Sequence, residues 1–179
     1  MSTIALIPIG IIRGAILNIL KLRLEESFDR GVIICQPLEH PSYAYDKSRR
    51  QYHSTAILHK ISGFGTGVYE RALGVVKVDL FVPDLNFVFG EADLVNRVAV
   101  ISLIRLDQRF YNLPEDEGLF VRRAVKEAVH ELGHTYGLRH CKRPDCVMFF
   151  SNSIMDTDNK GENFCPTCAK LLKLKSVVM

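Results

Sequence analysis

The stretch His130-Glu131-Leu132-Gly133-His134-Thr135-Tyr136-Gly137-Leu138-Arg139-His140 lies in the last third of a 179-residue chain. It closes a helical pattern over residues 119–134. Apolar residues at 121, 125, 128, 129 and 132, with Tyr136 continuing the row, span one face. His130 and His134 are one turn apart on a common side. They sit at about 180° and 220° from Val121, opposite the apolar stripe, at ~100° per residue. The pair alone would fit two solvated histidines. Glu131 between them completes an H-E-x-x-H pattern. Gly137 takes positive φ at little cost, so it can end the helix and turn the chain back. That turn brings His140 toward the same point. Three neutral imidazoles leave a fourth position for water, the arrangement of a catalytic zinc. Glu131 is placed to serve that water as general base.

Working outward, Cys141 follows His140 directly, and Cys146, Cys165 and Cys168 complete four cysteines within 28 residues. Pro144 and Asp145 stand between the first two as in a knuckle turn, and Cys165-Pro166-Thr167-Cys168 is a CxxC. Four thiolates at these spacings suit a closed, structural zinc. A redox motif or two disulfides are the other readings. The first wants a βαβ context near the CxxC, and the second an oxidising compartment. Because successive side chains diverge, His140 and Cys141 can feed two separate ions. The sulfur-bound ion would then clamp the third histidine and tie down the tail. Cys35, alone in the apolar run Val32-Ile33-Ile34-Cys35, is expected to be a small buried hydrophobe.

Towards the N-terminus, Thr3–Ile9 reads as a core strand, 11–24 as a helix and Gly31–Cys35 as a second buried strand, together a βαβ unit. Residues 37–50 read as a loop and 52–61 as a short helix ended by Ser62-Gly63. Gly63-Phe64-Gly65-Thr66-Gly67 follows no strand and lacks a Gly-Lys-Ser/Thr ending, so a flexible loop is expected rather than a phosphate loop. Residues 74–82 alternate as a strand that Pro83 stops. Residues 87–89 and 95–106 read as a hairpin joined through 90–96, the shorter strand at a sheet edge. Acidic residues at 115–117 suit the start of the histidine-bearing helix. A short basic helix over 169–175 would expose Lys170, Lys173 and Lys175.

Apolar residues make up 47% and charged residues 24%, the balance of an ordinary globular domain. Residues 1–90 carry 10 basic and 8 acidic side chains, and residues 91–179 carry 13 and 12. Neither half is a basic arm, and the short run Arg139, Lys142, Arg143 has no interleaved aromatics, so no nucleic-acid partner is expected. Pro8, Gly10 and Arg13 break the apolar N-terminus well short of the ~20 residues of a bilayer span. No basic leader precedes it. A cytoplasmic, membrane-free protein is expected, with a monomer favoured.

The pattern from His130 through Glu131, His134, Gly137, His140, Cys141, Cys146 and Met148 to Cys165 and Cys168 resembles the archaemetzincin family of zinc metallopeptidases. Its first eleven residues are the metzincin signature, and the cysteines mark this branch. Phe89-Gly90-Glu91-Ala92 is also similar to the family. The resemblance implies two zinc ions: a catalytic one on His130, His134 and His140, and a structural one on Cys141, Cys146, Cys165 and Cys168. It implies Glu131 as general base and Met148 in a turn beneath the histidines, with Met155 as the rival. The implied fold is α/β (α+β), a twisted mixed sheet packed on helices, with an antiparallel edge strand over the cleft, for which Phe87–Glu91 is the candidate. A single catalytic domain would fill residues 1–179, with 137–179 a zinc-clamped C-terminal part. The implied activity is hydrolysis of peptide or protein substrates. The alternative is a weak or inactive zinc-binding regulatory protein of the same fold.

Overall fold

The computed structural model describes residues 3–178, with side chains described as far as Lys173. The elements in chain order are β1 (Thr3–Pro8), α1 (Gly14–Phe28), β2 (Gly31–Ile34), β3 (Tyr45–Asp46), β4 (Gln51–His53), α2 (Ser54–Thr66), β5 (Arg71–Val76), β6 (Leu80–Phe81), β7 (Gly90–Asp93), β8 (Val98–Ser102), α3 (Glu117–Thr135), α4 (Ile154–Asn159) and α5 (Pro166–Val178). The main sheet has the order β2-β1-β5-β8-β7. Its first four strands run parallel, and β7 pairs antiparallel with β8 at one edge.

The sequence of β1 explains why this sheet is covered on both faces. Ile4 and Leu6 point into one apolar cluster with α1 and α3, and Ala5 and Ile7 into another with α2. A parallel strand buried on both sides needs such an unbroken apolar run. The first cluster continues without a break into Cys146, Val147, Met148, Cys165, Cys168 and Leu172. The C-terminal segment is therefore part of the main core. α3 starts where the Asp116 carboxylate accepts the Leu119 backbone N–H at 2.8 Å. Most of its residues are buried. The face opposite its apolar stripe is not bare: His130 and Glu131 are buried beneath the returning chain.

Several local expectations are corrected. The glycine-rich stretch 63–67 is no flexible loop, for α2 runs through it to Thr66. Gly65 is there for contact: a Cβ would stand 2.5 Å from the carbonyl oxygens of Asn96 and Arg97. The strand expected over 74–82 is two elements. β5 ends at Val76, and β6 joins a separate three-stranded sheet in the order β3-β4-β6. Its first strand, β3, and a 3-10 turn at Ser42–Ala44 lie in what read as a loop. The helix expected from residue 52 starts at Ser54, because Tyr52 is in β4. The hairpin is shifted. Its strands are β7 and β8, and the Asp93 carboxylate holds the turn by accepting the backbone N–H groups of Val95 at 2.9 Å and Asn96 at 3.0 Å. Residues 87–89 lie before the strand, tied by the bond from Val88 N–H to Leu80 C=O. The second strand, β2, is an outer edge with Ile33 exposed, so Cys35 is half-buried rather than buried. The C-terminal helix starts earlier than expected, at Pro166. Lys170 and Lys173 are exposed, whereas the Lys175 side chain lies outside the described residues. No described helix is long and apolar enough to cross a membrane.

Candidate metal centre

Gly137, at φ 78°, ends α3 as its sequence position suggested. The N–H groups of Gly137 and Leu138 bond back to the carbonyls of His134 and Gly133. This turn aims the Leu138 carbonyl back at the helix, where it accepts from His134 Nδ1 at 2.7 Å. The Val147 carbonyl accepts from His130 Nδ1 at 2.8 Å. A carbonyl cannot donate, so both Nδ1 atoms carry the proton and both Nε2 atoms present bare lone pairs. Those two Nε2 atoms face each other at 3.1 Å. Two acceptors at that distance repel unless a cation lies between them. The His140 ring stands 5.4 Å and 4.9 Å from the His130 and His134 rings, and the Phe150 ring is packed on it at 4.7 Å. One ligand atom from each of the three histidines lies within 4.8 Å of the others. Burial holds His130 well below its ordinary pKa, and lowers His134 and His140 as well. The three imidazoles are therefore neutral at physiological pH and ready to ligate, so this donor set fits zinc.

Glu131 lies beside this centre and packs against the backbone of β7. A Cβ on Gly90 would stand 2.5 Å from Glu131 Cγ. Burial, and then the neighbouring Glu127 carboxylate, push Glu131 up to about 8. A cation held by the histidines would draw it down again. Glu127 itself is buried in an ion pair with Lys160 at 2.8 Å and accepts from Thr157 Oγ1 at 3.2 Å. A cavity of about 490 Å³ opens above these groups. Val82, residues 85–91, Phe150, Ser151 and Asn152 line it. The expected edge strand over Phe87–Glu91 is thus corrected in part. The antiparallel edge is Gly90–Asp93, and residues 87–89 line the cleft as its irregular extension. Pro83 and the turn at Leu85 keep that extension out of the main ladder.

The four C-terminal cysteines also converge, with their sulfurs within 4.8 Å of one another. Cys141 Sγ and Cys165 Sγ are 3.9 Å apart, far beyond a disulfide bond, and all four thiols are free. The Cys165 N–H donates to Cys146 Sγ at 3.3 Å. The Cys168 backbone N–H, ahead of other contacts, draws the Cys165 thiol down to about 7, whereas burial pushes Cys168 up. Thiol sulfurs gathered this closely suit a thiophilic ion. Met148 is wholly buried, and its Sδ would be 2.7 Å from a Cβ on Gly133 between the two helical histidines. Met155, its rival, is exposed on α4.

Sequence reasoning missed several contributors: the Leu138 and Val147 carbonyls, Gly90, Phe150 and the Glu127–Lys160 pair. Backbone carbonyls carry no residue signature. Glu127 did carry one, since it precedes Glu131 by one helical turn.

The sequence model of peptidase family M54 matches residues 24–174. The chain belongs to peptidase family M54. An archaemetzincin from Methanocaldococcus jannaschii is 43% identical over 170 residues, covering 95% of this M54 chain and 92% of that protein. The crystal structure of archaemetzincin from Methanopyrus kandleri superposes with a TM-score of 0.86 at 37% identity, covering 98% of this chain and 96% of that one. That of archaemetzincin from Archaeoglobus fulgidus, complexed with malonate, gives 0.82 at 37% identity over 95% and 99%. This M54 chain is a zinc-dependent metallopeptidase acting on peptide or protein substrates.

Proposed function

We propose that the chain hydrolyses peptide bonds at the histidine centre, with His130, His134 and His140 as ligands of a catalytic zinc and Glu131 as the proton carrier. The facing pair of bare Nε2 atoms, 3.1 Å apart beside a buried carboxylate, is the observation that carries this reading. Zinc bound there supplies Lewis acidity toward water and a peptide carbonyl. The Glu131 carboxylate accepts a proton from the water that attacks the carbonyl carbon, then returns it to the nitrogen as the C–N bond breaks. Gly90 leaves room for that carboxylate, and the Leu138 and Val147 carbonyls fix two imidazoles in the ligating tautomer. The apolar wall over 85–89 supports an extended peptide laid along the cleft.

A second zinc on Cys141, Cys146, Cys165 and Cys168 serves structure, and Met148 supports the histidine turn. The whole chain works as one catalytic unit whose part from residue 137 onward is clamped by the sulfur-bound ion. Four free thiols favour a reducing, cytoplasmic setting. Glu131→Gln tests the assignment: metal analysis should find two zinc ions per chain in both proteins, with peptide turnover lost in the variant. Retained turnover in a zinc-loaded Glu131→Gln preparation would overturn it.

A further inference from the structure

The residues lining the cleft include three carboxylates, Glu91, Glu127 and Glu131, and no lysine or arginine. Two of the three are compensated. Lys160 pairs with Glu127 at 2.8 Å, and the positive charge of a bound zinc would face Glu131. Glu91 meets only hydroxyl groups at the start of α2. Thr55 Oγ1 donates to its two oxygens at 2.9 Å and 3.1 Å, and Ser54 Oγ donates to one of them. Among the described residues, no ion pair includes Glu91. Hydroxyl groups orient such a carboxylate but bring no positive charge to offset it.

The position of this charge matters. Strand alternation turns Gly90 toward Glu131 and Glu91 toward α2, on the same edge strand that walls the cleft. Glu91 is half-buried and lines the cleft. A charge on the cleft wall can meet a substrate's end or a long side chain.

We propose that Glu91 is a specificity-determining residue, its carboxylate receiving an ammonium group of the peptide substrate. The proposal rests on the peptidase reading above. The ammonium comes from either a free amino terminus or a lysine side chain.

Glu91→Gln removes the charge while the amide can still exchange hydrogen bonds with both hydroxyls. The test uses zinc-loaded protein and four peptides of one apolar sequence. One has a free amino terminus, one is acetylated, one is acetylated with a lysine, and one is acetylated with norleucine in its place. The wild-type chain should prefer an ammonium-bearing peptide over its neutral twin by about tenfold in kcat/KM, mainly through KM. The pair that shows the preference identifies the source of the ammonium. In Glu91→Gln the ratio should fall to within about twofold of one. A wild-type ratio near one, or an unchanged ratio in the variant, overturns the proposal. Uniform loss across all four peptides overturns it too, because that marks a purely structural carboxylate. No zinc-dependent cleavage of any peptide by the wild-type chain would overturn the peptidase reading, and this proposal with it.

Discussion

Glycine at position 90 shows how one missing methyl group shapes the chemistry. The Gly90 backbone lies against Glu131, and a Cβ would meet both Glu131 Cγ and the Val100 carbonyl oxygen, at 2.5 Å and 2.6 Å. The backbone oxygen cannot yield readily, so the side chain must move. Gly90→Ala is expected to displace the carboxylate and lower kcat by at least tenfold, while the histidine donor set stays complete. Turnover measured beside zinc content checks this: loss of activity at full metal content supports it, and unchanged kcat would refute it. The histidines, Glu131 and the cysteines were legible in the sequence because ligand chemistry restricts both residue type and spacing. Gly90 was not legible as a contact. It sat in what read as a turn, and only the third dimension puts α3 behind it.

At the level of elements, α3 was readable because its apolar period, acidic start and terminal glycine all agree. The hairpin was misplaced because Phe87-Val88-Phe89 has strand composition, yet Val88 bonds to β6 rather than joining the main ladder. α4 was missed entirely. Six residues long, it is held by α3 rather than by its own period. Arg123 grips Asp158 through two bonds of 2.6 Å, and Lys126 donates to the carbonyls of Thr157 and Asp158. Beyond its end, Lys160 is buried against Glu127. Burying two charges is costly, and removing one partner strands the other. Lys160→Met should therefore cost about 3–5 kcal/mol of unfolding free energy. Adding Glu127→Gln should recover most of that loss. Denaturant unfolding of zinc-saturated proteins measures both, and a single variant as stable as the parent would contradict the expectation.

For the whole molecule, the two proposed metal sites would divide the labour. The sheet is covered by apolar side chains on both faces, whereas the segment from Gly137 to Cys168, though it joins one of these clusters, contains little regular structure beyond α4. A structural zinc site in a small module supplies of order 10 kcal/mol. Chelation should accordingly raise amide exchange across residues 138–168 while β1, β5 and β8 keep their protection. Hydrogen-exchange mass spectrometry before and after chelation reads this directly. Uniform loss of protection would mean that the core depends on metal as well.

Val147, whose carbonyl orients the His130 ring, is flanked by Cys146 and by Met148, and the Met148 carbonyl in turn accepts the N–H of Cys141. The imidazole proposed as a zinc ligand thus takes its aim from a peptide bond strung between two sulfur-bearing residues. In a cell running short of zinc, such wiring would silence the hydrolase once the cysteines let go, even with the histidines still occupied. Soft, thiol-seeking metals would poison it by the same route, without ever entering the groove where substrates lie.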